Sequence, residues 1–543
     1  MASDTSGPTL PSRIASLVHA HFDALPTRSK PTIFPDGSRE WIPMTGIVAV
    51  KGENTPSESL TCISVTSGAK CLSASHIPRC RGLVLHDCHA EILGLRAFNY
   101  WLLTECHSEL SREKHLSKAC DTSNLDNEEV SGSPFIQRRK VEETEDVHSI
   151  SATKWPPFEL QPDIKIYMYC TCAPCGDASM ELCMAAQADA TPWEVLQQEP
   201  PPSTSQDAEF PAEQTLLDGR AHFSLLGVVR RKPARMDAES TRSKSCSDKL
   251  ALRQVSSLLS CETSRLVAPT ENAYLAGLVL PADEISQVGC DRSFGENGRM
   301  QALKGRTWPG KTELKESTTG YRFHPFQVLS VPVEEVAALW SFAKQKPMPF
   351  LADSSEEQDE TSTTVTSLKK SRPGNVSAVW IVAPSYHASS ATVMDTGSKS
   401  MPTLYRSKTG LYETIINGVK QGNRASAPGA RGASSLSRAK LWALFRDIAP
   451  VSVPNISQDR VTPAELLSNT LETEEMPINT IHDLTPDTAT YQEFKKPSSL
   501  EDPLQIRKQA IENAKSVLKG WMPNVGDDSW GLDVLVDPKK RKR

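Results

Sequence analysis

Long apolar runs are absent from this chain. No stretch approaches the roughly 18–20 residues of a membrane span, so no membrane association is expected. A secretory signal is missing too: the opening residues MASDTSGPTLPS lack a charged region followed by an apolar stretch. Excess positive charge is absent, since 60 Lys and Arg face 66 Asp and Glu, a formal charge of −6. That balance disfavours a surface that coats nucleic acid everywhere, but it permits a local basic cleft. No internal repeat is visible. Apolar residues AVILMFWYC are 38% of the chain. With glycine added they reach about 43%, slightly under the globular norm. Ten Trp and several apolar-periodic stretches still demand a packed interior, so full disorder is excluded. The 13 cysteines are odd in number and scattered over 543 residues. A disulfide scaffold is therefore not expected; free thiols and a metal site are.

Periodicity predicts the organisation. Ser12–Leu25 places Ile14, Leu17, Val18 and Phe22 on one helical face before Pro26. Gly46–Lys51, Leu60–Thr66, Ile164–Cys170 and Phe223–Val229 read as strands. Ala90–Thr104, Asp177–Gln187, Ser247–Ser260 and Leu504–Trp521 read as helices. Polar or low-complexity insertions are expected at about 107–156, 194–215, 352–374, 422–436 and 455–489. Strands alternating with helices predict an α/β sheet covered by helices.

Three short motifs carry chemistry. Leu85–Glu91 (LHDCHAE) contains a His-x-Glu at a strand-to-helix junction. That arrangement suits a zinc deaminase, with His89 on the metal and Glu91, not a ligand, as general acid/base. A capped helix start holding a core histidine is the plainer alternative. Cys170–Asp177 (CTCAPCGD) holds several thiols. The pattern P-C-x-x-C would need a second Cys at 178, where this chain has Ala178, so Cys172 and Cys175 are out of that frame. Cys175 opens a predicted helix, where the macrodipole favours thiolate. Cys170 and Cys172 suit buried apolar positions. Ser245–Lys249 (SCSDK) supplies another thiol at a helix start. His89, Cys175 and Cys246 then make three ligands and leave the fourth position open, as a catalytic zinc requires.

The segments GAKCLSASHIPRCRGLVLHDCHAE, CAPCGDASM and KSCSDKLAL occur in this order. Together they resemble the adenosine deaminase domain shared by tRNA-specific adenosine deaminases, in particular eukaryotic, fungal-like ones, and by double-stranded-RNA adenosine deaminases. The resemblance spans roughly residues 40 to 535. It implies a cytidine-deaminase-like core sheet flanked by helices, enlarged by a C-terminal helical portion that encloses an inositol polyphosphate. It implies one domain over 40–536, preceded by a helix and tail at 1–39 and followed by a basic tail at 537–543. It makes His89, Cys175 and Cys246 the zinc ligands, Glu91 the proton shuttle, and Lys70 a residue near the substrate nucleotide. It further implies buried inositol hexakisphosphate, with Arg96, Lys249, Lys408, Lys440, Tyr491, Lys495 and Trp521 at the matching positions. Such a ligand needs many fixed cations. A hydrogen-bond relay from that cofactor to zinc would pass through Lys249, Asp87 and Lys232. Three positions depart from the double-stranded-RNA editors: His86 replaces Asn, and Leu95 and Leu252 replace arginines.

Little sequence precedes residue 40, too little for a double-stranded-RNA-binding module, and Lys232–Ser245 resembles the tRNA enzymes. The expected reaction is hydrolytic conversion of adenosine to inosine in tRNA. The expected base is the adenosine immediately 3′ of the anticodon in alanine tRNA, in a loop already largely single-stranded. Editing of double-stranded or messenger RNA is the alternative, and a noncatalytic RNA-binding protein with structural zinc is a second. Arg230, Arg231, Lys232, Arg235, Arg242 and Lys244 form a local basic run that suits RNA phosphates. No obligate protein partner is implied. Pro538–Arg543 (PKKRKR) reads as a nuclear-import signal or an RNA-binding tail, so nucleus and cytoplasm both remain open.

Overall fold

The computed structural model describes residues 7–36, 38–121, 132–139, 156–186, 217, 219, 225–232, 239–308, 320–344, 372–385, 410–448, 489–497 and 503–536. The side chains of 115–121 are excepted. The expected insertions at 194–215, 352–374 and 455–489 fall wholly or mostly outside these residues, as do Lys408, Arg235 and the basic tail.

A mixed sheet of eight strands, flanked by helices, organises the chain. Its order is Gln327–Val331, Leu275–Pro281, Ile164–Cys170, Met44–Lys51, Ser59–Ser67, Ser377–Ile381, Leu411–Ile416, Val419–Lys420. The first three strands run parallel and the remaining pairs are antiparallel. Alternation sorts the side chains to two faces. Ile164, Ile166, Met168 and Cys170 join one core, while Tyr167 and Tyr169 join the other. Both faces are covered, so these strands read as nearly continuous apolar runs.

On one face lies the Leu10–Asp23 helix. Thr9 caps it by accepting from the Ser12 amide, and Ile14, Ala15, Val18 and Phe22 are buried. Gly46 lets it come close: a Cβ there would sit 2.3 Å from Val18 Cγ2. The other face carries the Ala90–Asp121 helix, with Leu93, Phe98, Trp101 and Cys106 in the main core. The Arg438–Ile448 helix joins the same core through Leu441, Trp442, Leu444 and Phe445. Trp442 stacks on Phe494, and Tyr491 stacks on Trp530 with ring centroids 4.7 Å apart. Residues near both ends of the chain thus meet on one sheet. Every described cysteine is a free thiol. Among the described residues no helix is long and apolar enough to cross a membrane.

Several expectations need correction. The helix from Ala90 does not stop at Thr104; Cys106 and Leu110 keep its apolar face buried, and it runs to Asp121. Part of the expected insertion at 107–156 is therefore helix, and Ile136–Arg138 pairs with Phe158–Leu160 as a small ladder. No strand covers 225–229, the described part of Phe223–Val229; Leu225 and Leu226 are exposed there. The 422–436 loop is not a merely polar interruption. It ends in buried Ala433, Ser434 and Leu436, and Ser434 and Ser435 donate to the Glu413 carboxylate.

Candidate active site

Three local structures converge behind the central sheet. His89 ends the Asp87–His89 strand, which pairs with Ala69–Cys71 so that Cys71 faces Asp87 and Ala69 faces His89. Glu91 lies in the first turn of the helix that follows at once. Cys175 comes five residues after the Ile164–Cys170 strand. Cys246 opens the Cys246–Ser256 helix, capped by Ser245, whose hydroxyl accepts from the Asp248 amide at 3.1 Å. Ser247 joins the two thiol segments: its amide and hydroxyl both donate to the Cys175 carbonyl at 3.0 Å. Gly176 makes the approach sterically feasible. Its φ is +106°, and a Cβ there would lie 2.2 Å from Ser245 Oγ.

The result is one imidazole and two sulfurs gathered around a point. Cys175 Sγ is 3.8 Å and Cys246 Sγ 3.6 Å from His89 Nδ1, and the Cys246 amide is 3.4 Å from Cys175 Sγ. These donors lie within 4.8 Å of one another. The hydrogen bond with Cys246, then Lys232 and His89, hold the Cys175 thiol well below its usual range, against burial. Burial pushes the Cys246 thiol up. Glu91 is 3% exposed, its Oε2 has no hydrogen-bond partner, and burial raises its carboxyl above the usual range. A buried carboxyl with an uncommitted oxygen beside three metal-type donors can shuttle protons.

Asp87 ties this centre to its surroundings. Lys232 Nζ donates to its carboxylate at 2.9 and 3.2 Å and to Cys246 Sγ at 3.2 Å. Lys249 binds the same carboxylate, and the His89 amide donates to it at 3.0 Å. Burial opposes the charge on Asp87, but Lys232 and then Lys249 outweigh it and hold the carboxyl well below the usual range. Lys232 is placed by a two-stranded turn: its amide donates to Ser243, and Ser245 donates to Arg230. Two further clusters of metal-type donors, Cys71-Asp87-His89 and Cys80-His86-Asp527, already hold cationic side chains. Asp87 binds the two lysines, and Asp527 binds His86 at 2.8 Å and Arg438 at 2.5 Å.

Residues 64–130 and 135–288, which contain His89, Glu91, Cys175 and Cys246, match the adenosine-deaminase (editase) domain. Those two segments carry the chain's similarity to that family. The tRNA-specific adenosine deaminase 1 of Schizosaccharomyces pombe is 34% identical over 319 residues, covering 58% of this chain and 66% of that protein. The Saccharomyces cerevisiae protein of the same name is 31% identical over 270 residues, covering 49% of this chain and 58% of its own length. The double-stranded RNA-specific editase B2 of Rattus norvegicus is 34% identical over 137 residues, 25% of this chain and 14% of that protein. The chain thus spans less than two thirds of the two fungal relatives.

The donor set fits zinc: one N and two S donors would leave a tetrahedral position open. The residues assigned to a polyphosphate divide into groups. Arg96 donates to the Leu436 carbonyl at 2.7 Å and has no carboxylate partner among the described residues. Tyr491 is buried and donates to Glu262 at 2.9 Å. Lys495 sits 5.2 Å from the Tyr491 ring centre and pairs with Asp528. Trp521 has Lys244 and Lys515 near its ring, at 5.7 and 5.9 Å. Lys440 is grouped instead with Lys420 and Glu413. Leu95 and Leu252 pack in apolar clusters, which accounts for the absence of a charge at either position.

The RNA expectations need one correction. Arg230 is 1% exposed, and its backbone amide and guanidinium are spent on Asp248 and the carbonyls of Gly219 and Leu225. It is a structural arginine, not a surface phosphate contact. Arg231 pairs with Lys244 in the turn. Lys70 is half-buried in the strand beside Asp87–His89. Lys244 is buried, and burial, then Lys249 and Lys515, bring its pKa down to about 8. Two arginines escaped the sequence reading: Arg253, whose pKa is lowered by burial, Arg507 and Arg96, and Arg507, which shares the Leu259 carbonyl with it. The helical spacing of Lys249 and Arg253, i and i+4 on one face, was the available signal for the first.

Proposed function

We propose that this protein deaminates adenosine to inosine in tRNA, with water consumed and ammonia released. The observation that carries the proposal is the grouping of His89, Cys175 and Cys246 beside the uncommitted carboxylate oxygen of Glu91. The three side chains would hold zinc, which supplies the Lewis acidity that lowers the pKa of a water. Glu91 takes one proton from the attacking water and passes it to the ring nitrogen of adenine, then takes the second proton from the new C6 hydroxyl and gives it to the amino group, which leaves as ammonia. Its raised carboxyl pKa suits that exchange, because it binds and releases protons nearer neutrality. Lys232 and Asp87 fix the Cys246 sulfur and the His89 backbone, so the ligands keep their spacing as the proton moves.

The substrate proposed is the adenosine immediately 3′ of the anticodon in alanine tRNA. The names of the fungal relatives support a tRNA substrate. The proposed domain is 40–536 with its polar insertions. A polyphosphate, in the form of inositol hexakisphosphate, is proposed to lie against Arg96, Lys249, Tyr491, Lys495 and Trp521, enclosed by the C-terminal helical portion. Support comes from the charge of Arg96 on Arg253 and from a buried Arg507 Nε with no acceptor. The basic segment 538–543 is proposed to direct nuclear import.

Replacement of Glu91 tests the chemistry. Glu91→Ala should keep its zinc and lose inosine formation by at least about 10²–10⁴-fold. Single-turnover activity near the wild-type rate would remove Glu91 from the proposed role.

A further inference from the structure

Cys175 and Cys246 are each followed two residues on by a fully buried aspartate, Asp177 and Asp248. Asp177 accepts from the Gly227 amide at 2.8 Å, from Arg292 Nε at 3.0 Å and from the Ser293 hydroxyl at 2.9 Å. Asp248 Oδ2 accepts from the Arg230 amide at 3.0 Å and from the Ser245 hydroxyl at 2.6 Å. Arg299 reaches both carboxylates. Its Nη1 donates to Asp248 Oδ1 at 2.7 Å and lies 3.9 Å from Asp177 Oδ2. The Arg299 side chain is 4% exposed, and its Nε and Nη2 are buried without hydrogen-bond partners. Buried donors left unmet are costly, so the two carboxylate charges are what hold this guanidinium inside.

A tight turn delivers it. After the Gln287–Phe294 helix, the Gly298 amide donates to the Gly295 carbonyl at 2.9 Å and the Arg299 amide to the Arg292 carbonyl at 2.8 Å. A Cβ on Gly298 would lie 2.4 Å from the Arg292 carbonyl oxygen. Arg292 itself serves one thiol segment: it binds Asp177 at 3.0 Å and Glu181 at 2.6 Å.

We propose that Arg299 is a positioning residue for Cys175 and Cys246, which ties together the aspartates that follow them and so sets the spacing of the two sulfurs. This rests on the reading that both thiols hold zinc, and it assigns their spacing to a third segment of the chain. Only two residues separate each carboxylate from its sulfur, so a shift of either carboxylate is passed to the thiol. Without the guanidinium, two buried like charges are less compensated and the segments that carry them move apart.

The test uses the full chain as wild type, Arg299→Gln, Arg299→Lys and Arg292→Gln, each refolded with cobalt(II) in place of zinc. The thiolate-to-cobalt absorption band reports the sulfurs on the metal, and titration with a chelator gives the affinity. Urea unfolding of the loaded chains gives their stability. Arg299→Gln should bind cobalt at least about tenfold more weakly, the scale of one charge-assisted bond, with a shifted band. Arg299→Lys keeps the charge and a donor and should recover most of the affinity. Arg292→Gln should lose stability yet keep the wild-type band and an affinity within about threefold of wild type, because it touches one thiol segment alone. An Arg299→Gln chain that does not refold is replaced by the double variant Asp248→Asn/Arg299→Gln, which removes one charge from each side and is held to the same outcome. A wild-type band and affinity without Arg299 would overturn this inference. So would an Arg292→Gln chain that binds as weakly as Arg299→Gln, since general loosening would then be the cause. Arg299→Lys as weak as Arg299→Gln would overturn it as well, because the retained charge would then position nothing. Wild type without a thiolate-to-cobalt band would overturn the zinc reading itself.

Discussion

Asp87→Asn is the sharpest perturbation of the centre, because one carboxylate balances two ammonium groups. Asp87 is 6% exposed and Lys232 is 4% exposed, so water can stabilise neither once the pair is broken. Lys249 is more accessible, with 21% of its side chain exposed, and would recover part of its hydration. Surface pairs contribute only about 0–1 kcal/mol. Removing one partner of a buried pair costs about 3–5 kcal/mol, because the other charge is left uncompensated. The Lys232 half of the triad alone therefore predicts a loss of about 3 kcal/mol, roughly a hundredfold in the folding equilibrium. The substituted side-chain amide would still accept from the His89 backbone but could not neutralise the ammonium beside Cys246. Urea unfolding at neutral pH gives the stability, and metal analysis gives the zinc retained per chain. A loss below about 1 kcal/mol with full zinc content would refute the view that this carboxylate anchors the centre.

Other outcomes follow from single features. Gly176→Ala should lower zinc content and activity together, because its φ of +106° and the 2.2 Å approach to Ser245 Oγ leave no place for a methyl group; a fully metallated, active variant would contradict this. Glu105 is buried, its carboxyl is pushed up to about 7, and it accepts from Ser133 and from the amide and hydroxyl of Ser385. The associated stability is complete below about pH 4.5 and is lost as pH rises through about 7, on the order of 3 kcal/mol. Glu105→Gln should therefore gain on wild type between about pH 5 and 8 in urea unfolding. A difference between the two proteins that does not change with pH would count against the buried charge.

The grouping of metal-type donors was legible because its parts are local. His89 and Glu91 sit in one short motif, and Cys175 and Cys246 each open a segment whose residues recur in a family. Their meeting depends on Gly176 and Ser247, which no spacing rule singles out. Strand alternation was readable in Ile164–Cys170, but the neighbours of that strand were not, since partner choice is set by long-range packing. Leu225, Leu226 and Val229 looked like a strand by type, yet the ladder lies one step on, between 230–232 and 243–245. Arg230 looked like a surface cation because arginine usually is one; its burial is imposed by Asp248 and nearby carbonyls. Arg507 could not be tied to Arg253 from sequence, because two separate helices bring them to the Leu259 carbonyl.

The direct measurement incubates zinc-loaded full-length protein with transcribed alanine tRNA and, separately, with a long RNA duplex, then maps inosine by sequencing. Inosine at the adenosine immediately 3′ of the alanine anticodon, with little in the duplex, is the predicted result. No inosine in the tRNA, or a preference for the duplex, would contradict it.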